Sequence, residues 1–586
     1  MSRIDVDDLS FRYPATEHLV LDGVSFQAHD GELLGLVGPP GAGKTTLCMA
    51  MAGLVPGITG GELSGCVSAD GVVGIVFEDP DAQLTQLRAL SEVTDPLRTR
   101  GASREDAARE GRRLLERVGL GGEDLANRWV WEMSEGQQVL LALAATLATQ
   151  PDVLILDTVM GSLDATYRAG VLRLLRDEAG DRTVVLVEQD VALLGEIADR
   201  MVVLAEGRVV AVGTPGELLD DDSVRSAADL ATPGALLAAR RLRLPGSPLT
   251  TDAFRAAVGD VGRRPAEGTV RSNGHHGDRA VPPWRDDPPR IQVRNVDFGY
   301  PDRSPALRGL DLEVRPGEVH AVLGHTGAGK STLVRLLCGL LRPVHGSVVV
   351  DDQDTTTVHP TDLALRVGTV LQDADRTLSQ RTVRDEIALS LRRRGRTEGL
   401  DDRIDRVRRL VGLPEDVLPA DPLLLPRAYR MLVALAAALV VEPTVVVLDS
   451  PTTGLSHGGR LRFATALADL RSRGTAVLIT EHDTDVVAEI ADTVTILDRG
   501  TVAAQGQVRD LLRSTRHAEL AARRISPTTV GTLAEAVGVE ACTIDELVAA
   551  LSAPPSPRKP STSASSSGPP PLVPPGTASA STGGGA

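Results

Sequence analysis

Gly324-His325-Thr326-Gly327-Ala328-Gly329-Lys330-Ser331-Thr332 follows the apolar run Val319 to Leu323 and opens the apolar, helix-like run Leu333 to Leu341. A strand, a glycine-rich turn and a helix in that order form the setting a phosphate-binding loop needs. The glycines let backbone N–H groups turn inward around a polyphosphate. Lys330 adds a compact positive charge, Ser331 offers a hydroxyl to Mg²⁺, and the helix N-terminus favours an anion. The device recurs as Gly38-Pro39-Pro40-Gly41-Ala42-Gly43-Lys44-Thr45-Thr46, so the chain contains an internal repeat. The sequence holds only three lysines, Lys44, Lys330 and Lys559, while arginine carries nearly all other positive charge. Keeping lysine in both loops points to a need for a compact ammonium rather than a planar fork. A chance glycine-rich turn does not account for two copies in the same setting.

The 586 residues and 42% apolar content suffice for at least two domains with ordinary cores. A net charge of −17 argues against a nucleic-acid partner held by phosphate contacts. Cys48, Cys66, Cys338 and Cys542 show no metal or redox spacing and fit a reducing cytosol. The start Met1-Ser2-Arg3-Ile4-Asp5 has no signal-peptide apolar region. No apolar run reaches the roughly 18 residues of a spanning helix. The longest candidates, 139–148 and 431–441, have the length of buried helices.

Each half opens on a strand-like alternation ending in an aromatic, Ile4 to Tyr13-Pro14 and Ile291 to Tyr300-Pro301. A ring there can stack on a flat base or pack on its own sheet; ahead of a phosphate loop, stacking is the favoured reading. After each loop come short apolar runs ending in a polar residue, Val73 to Phe77-Glu78 and Val367 to Leu371-Gln372. Charged stretches 98–117 and 392–409 read as helices with solvated, mixed-sign faces. Met133-Ser134-Glu135-Gly136-Gln137 opens an Ala/Leu-rich helix, and Ser134-x-x-Gln137 has the spacing of a capping box. Apolar runs from Val153 and Val445 end in Asp157 and Asp449. Last strands run into Val187-Glu188-Gln189-Asp190 and Thr480-Glu481-His482-Asp483. Strands alternating with helices imply a mostly parallel α/β sheet with ligands at the strand C-termini. Residues 261–289 read as an exposed linker, where His275-His276 is a solvated pair rather than a metal site. From Ala553 onward the Pro/Ser/Gly composition predicts disorder.

In this order the residues resemble two ATP-binding cassette (ABC) nucleotide-binding domains fused head to tail, from Ile4 to about Leu551. The resemblance implies an α/β fold with two P-loop domains. Each has a mostly parallel sheet core, an antiparallel β subdomain and a helical subdomain. It divides the chain into a first domain with the start of a tail, 1–235, the rest of that tail and a linker, 236–289, and a second domain, 290–515. A second tail, 516–552, and a disordered end, 553–586, follow. More narrowly, Phe77-Glu78-Asp79-Pro80-Asp81-Ala82-Gln83 and the tails at 229–252 and 525–547 resemble the ATPases of energy-coupling-factor (ECF) importers. Such tails help to pair the ATPases in that group.

The resemblance places each ATP, with Mg²⁺, between the phosphate loop of one half and the signature of the other. The second site draws Tyr300, Gly324, Gly327, Gly329, Lys330, Ser331 and Thr332 from the loop region. Gln372, Asp449 and His482 are its catalytic residues, and Ser331, Gln372 and Asp449 face the metal. Ser134, Gly136, Gln137 and Asp164 complete it from the first half. The first site draws Tyr13, Gly38, Gly41, Gly43, Lys44, Thr45 and Thr46, with Thr45 and Asp157 facing the metal. Its opposing signature position reads Leu425-Pro426-Arg427-Ala428-Tyr429 and has lost the serine, both glycines and the glutamine. Glu78 replaces a glutamine there and Gln189 a histidine, so slow or no hydrolysis is expected. Thr158 and Ser450 stand where the family has a glutamate that orients or deprotonates the attacking water. Neither is a base near neutral pH, which lowers the rate without necessarily abolishing it. The D-loop aspartate is Asp164 in the first half but Ser456 in the second.

The implied function is the ATPase subunit of an ECF-type importer at the cytoplasmic face of the membrane. Its expected partners are integral-membrane subunits, a transmembrane coupling protein and a substrate-binding protein. An ATP-gated clamp with negligible turnover, and a soluble tandem ABC protein acting on ribosomes or DNA, stay open as alternatives. The acidic charge, the tails and the lack of a long charged helical linker count against the last.

Overall fold

Runs of Val, Leu and Ile form the centre of each half because both faces of these strands are covered. In the computed structural model, Leu33–Val37, Val153–Asp157 and Thr183–Val187 are buried at every position rather than at alternate ones. They belong to a six-stranded sheet ordered Val73–Val76, Val153–Asp157, Thr183–Val187, Leu33–Val37, Arg200–Ala205, Arg208–Gly213. The first five strands are parallel and the last is antiparallel. The second half repeats the order with Val367–Val370, Val445–Asp449, Ala476–Glu481, Val319–Leu323, Thr493–Asp498 and Thr501–Gln507. The described residues are 2–552 except 15, 17, 81–82, 262–286, 302–304, 365, 373–376 and 394.

The strand leading into each phosphate loop therefore lies inside its sheet, next to the strand Thr183–Val187 or Ala476–Glu481. Parallel neighbours bring the loop and the aspartate strand end out at one edge, where ligands of such sheets sit. Each half also has a separate antiparallel sheet, three-stranded around Ser2–Arg12 and four-stranded around Ile291–Gly299. A helical layer packs beside the first sheet through Ala89–Thr99, Arg104–Arg117 and Glu135–Ala148. Its counterpart in the second half is Val383–Arg392, Leu400–Val411 and Arg427–Leu439.

The two charged stretches are not continuous helices. Gly101 adopts φ +95 and Ser103 caps the next helix by accepting from the Asp106 amide, so 98–117 breaks after Thr99. In the second half Gly399 adopts φ +62 ahead of Leu400–Val411. A left-handed glycine cannot continue a right-handed helix, and a serine with a free hydroxyl restarts one.

The two tail segments form one small core. Helices Gly234–Leu242 and Thr251–Val261 pack on Thr529–Ala536 and Ile544–Ser552, with Phe254, Leu533 and Leu547 buried together. Arg241 and Asp545 pair across the same contact. Most of the expected linker, with His275-His276, and the expected disordered end lie outside the described residues. No described helix is long and apolar enough to cross a membrane.

Candidate functional site

Both phosphate loops use glycine where a side chain cannot fit. A Cβ on Gly38 would lie 2.0 Å from the Leu204 carbonyl oxygen, and one on Gly324 2.6 Å from that of Leu497. Gly43 and Gly329 start their helices at φ +97 and +107 without any side-chain cap, which leaves the first N–H donors of Lys44–Met51 and Lys330–Leu337 to a ligand. Lys44 and Lys330 are buried and curl back over the loop. Lys44 Nζ donates to the Gly38 and Pro39 carbonyls at 2.8 and 2.9 Å, and Lys330 Nζ to Gly324 and His325 at 2.6 and 3.3 Å. Burial pushes the Lys330 ammonium down to about 8, and nearby Asp449, Glu481 and Asp164 pull it back. Burial lowers Lys44 likewise, against Asp157, Glu78 and Glu188. An anion beside either ammonium would restore its charge.

The hydroxyls and aspartates expected to face a metal lie at the helix starts and strand ends of each half, whereas Gln372 turns to Glu135 of the other half. Asp157 is buried, accepts from Thr158 Oγ1 at 3.1 Å, has the Thr45 hydroxyl near enough to favour its charged form, and keeps Oδ2 without a partner. A buried, unpaired carboxylate oxygen beside a hydroxyl is a donor set that suits Mg²⁺. Burial raises the Asp157 carboxyl, the penalty a cation would relieve. In the second half Asp449 accepts from Thr480 Oγ1, and Ser331 follows Lys330 on the neighbouring helix. Mg²⁺ held there would neutralise phosphate charge.

The aromatic residues pack on their own sheets. Tyr13 meets Phe11 and Tyr300 meets Phe298 edge to face at 5.0 Å. Their hydroxyls reach Thr46 and Thr332, one residue beyond Thr45 and Ser331, so each ring also borders its loop.

The opposite wall of each site comes from the other half. Pro426 Cγ lies 3.8 Å from where a Gly41 Cβ would stand. Gln189 Nε2 donates to the Gly454 carbonyl at 3.0 Å, and the Gly458 amide donates to Asp229 at 2.8 Å. Lys330 feels the charge of Asp164, which caps the helix Ala165–Glu178. Ser134 and Gln137 form the capping box in full, and Gly136 lets that helix approach the Ser162 carbonyl, where a Cβ would meet it at 2.7 Å. Helix Arg427–Leu439 instead starts after Pro426 with no side-chain cap.

A chain of charged and amide groups ties the two walls together. Arg427 lies 3.7 Å from Glu78 and donates to Glu135 Oε1 at 3.3 Å. Glu135 Oε2 accepts from Gln372 Nε2 at 3.0 Å, and Oε1 accepts from Ser162 Oγ at 2.8 Å. Burial raises the Glu78 carboxyl while Arg427 opposes the rise. Sequence reasoning passed over Glu135, although a carboxylate between Ser134 and Gly136, facing an arginine at the matching place in the second half, was a visible signal. It also gave no role to Glu188 and Glu481. Both are buried, and both are pushed up to about 7 by that burial. Glu188 accepts from the Met160 amide at 3.0 Å, and Glu481 from Thr452 N and Oγ1 at 3.2 and 2.8 Å. Each thereby fixes the loop after its aspartate strand. His482 is pushed down to about 3, first by burial and then by Lys330 and His325, so its imidazole is neutral.

Known proteins are similar in sequence over most of the chain. The ABC transporter family model matches residues 21–160 and 307–453. An ABC transporter ATP-binding protein of Caldanaerobacter subterraneus is 30% identical over 567 residues, covering 93% of this chain and 98% of that one. One of Streptomyces coelicolor is 32% identical over 574 residues, covering 91% and 99%. The chain belongs to the ABC transporter ATP-binding proteins. Among solved structures, cbiO1 of Clostridium perfringens, described as part of the ABC transporter complex cbiONQ, is 28% identical with a TM-score of 0.35, covering 38% of this chain and 91% of that one. Proteins of this family bind ATP, generally with Mg²⁺.

Proposed function

We propose that the chain is the ATP-binding, energising subunit of an ECF-type membrane importer, with ATP hydrolysis confined to the second site. The contrast between the two opposing walls carries this reading. Lys330 faces a signature with its capping box and glycine intact, whereas the first site faces Pro426 and an Arg427 already engaged by carboxylates. ATP at both sites would draw the halves together. Turnover at the Lys330 site would reopen them, and the shared tail core would keep the pair joined through the cycle.

Membrane subunits are the natural partners. Exposed Leu87 and Trp131 in the first half, and Leu423 and Leu424 in the second, leave apolar side chains on the helical layers for them to cover. The clamp reading, ATP binding with negligible turnover, has one observation in its favour. Thr158 and Ser450 follow the two strand aspartates without a carboxylate. Reconstitution with the membrane subunits decides between them: phosphate release and solute uptake that rise together support the importer, and uptake without release supports the clamp.

A further inference from the structure

Resting on the reading that the second site turns over ATP, we propose that Glu135, supplied by the first half, is the carboxylate that binds and orients the attacking water in that site. The groups on the second half's own wall are otherwise committed. Ser450 offers only a hydroxyl. Asp449 accepts from Thr480 and lies where the metal is expected. Glu481 spends Oε1 on Thr452 and Oε2 on the His482 amide at 3.3 Å, turned toward its own loop. His482, held near 3, is a weak proton acceptor. From the first half, Asp164 uses Oδ1 to cap its helix through the Thr166 and Tyr167 amides at 3.0 Å.

Glu135 differs from all of these in reach. It is the first residue of the helix Glu135–Ala148, whose end Ser134 and Gln137 already cap, so its side chain is free of that duty. It crosses the interface and meets the Gln372 amide at 3.0 Å. Ser162 Oγ and Arg427 both sit on Oε1. A carboxylate offers about four lone-pair sites, two on each oxygen. Oε2, on the Gln372 side, therefore has a place left for a water.

The step balances without further reactants. The water oxygen forms a bond to the γ-phosphorus. The bond from that phosphorus to the β–γ bridging oxygen breaks, and its electron pair stays with ADP. The water proton passes to a γ-phosphate oxygen. Transition states of this kind are loose and depend on positioning more than on a strong base, so a fixed carboxylate acceptor suffices to aim the water. The geometry makes the first half a contributor to turnover at the second site through a residue beside, and distinct from, the signature serine.

The test is steady-state ATPase of the full chain with its membrane subunits, for wild type, Glu135→Ala, Glu135→Gln, Lys330→Ala, Ser450→Glu and the double variant Glu135→Ala/Ser450→Glu. ATP affinity and thermal unfolding are measured in parallel. Glu135→Ala should lower kcat by about 10²-fold with KM and melting temperature little changed, the scale of a lost positioned group. Glu135→Gln, which keeps the contacts to Ser162 and Gln372, should lose less. Ser450→Glu, which returns a carboxylate from the other side of the water, should raise turnover in the Glu135→Ala background by clearly more than the roughly tenfold it gives the otherwise wild-type chain; a purely structural role for Glu135 gives the same gain in both backgrounds. Wild-type turnover that persists in Glu135→Ala, or a double variant that gains no more from Ser450→Glu than the otherwise wild-type chain does, overturns the proposal alone. Wild-type turnover that survives Lys330→Ala overturns the reading of the second site, and the proposal with it.

Discussion

The two candidate sites share a floor and differ in their walls. Both floors have a loop glycine pressed on a carbonyl, a buried lysine curled over two loop carbonyls, and an aspartate at the end of the neighbouring strand but one. Backbone geometry fixes these features, and almost no other residue satisfies them. The walls are helix starts, which can be capped in several ways. Ser134 and Gln137 cap one, Pro426 begins the other, and both helices form. Charge then follows the wall. In the first site Glu78 faces Arg427, and in the second Gln372 faces Glu135. The opposing helix start can therefore differ while the loop stays the same, and at the first site that start carries an ion pair across the interface.

Replacing the lysines breaks or sharpens this contrast most. Lys330→Ala should remove about 10³-fold of the ATPase rate, the scale of a lost phosphate-facing charge, while Lys44→Ala retains most of it. The opposite pattern in a steady-state assay would reverse the assignment of the working site.

A feature common to both halves gives the next effect. Glu188 and Glu481 titrate near 7 in the fold against 4.5 as their ordinary value. The folded state then binds more protons than the unfolded chain between those values. The contribution of these two groups to stability should be fullest below about 4.5, fall as pH rises to 7 and level off above, by up to about 3 kcal/mol for each group. Chemical denaturation from pH 5 to 8 should show this slope in wild type. It should be flattened, relative to wild type, in Glu188→Gln/Glu481→Gln; an equal slope in that variant contradicts the assignment.

Ser450→Glu alone should raise phosphate release at saturating ATP by about tenfold, a fraction of what a positioned base can supply. An unchanged rate would mean that chemistry does not limit turnover. Last, Glu78→Gln removes a negative charge near Lys44. Nucleotide affinity at the first site, measured by equilibrium binding in a Lys330→Ala background, should tighten about fivefold, near 1 kcal/mol. Weaker binding would show that the Glu78–Arg427 pair supports that site.

Much of this was legible from local pattern. Glycine spacing with a single retained lysine type located both loops, and uninterrupted apolar runs located the covered strands. The box Ser134-x-x-Gln137 was readable because capping acts within one helical turn. The helix breaks at Gly101 and Gly399 were missed because charge patterning outweighed the glycines, two in each stretch. Glu135, Glu188 and Glu481 were not legible as working residues. Their partners stand 237, 28 and 29 positions away, and no local rule pairs them.

The sequence by itself determined two glycine-rich loops, two largely parallel sheets and the unlike starts of the two opposing helices, because each depends on neighbours within a few residues. Only the tertiary structure decided that Arg427 and Glu135 meet, that Gln372 reaches the opposite half and that both tails close into one core around Phe254. Those contacts depend on how two sheets face each other, and hydrogen bonds and ion pairs act over a few ångströms of space whatever the distance along the chain.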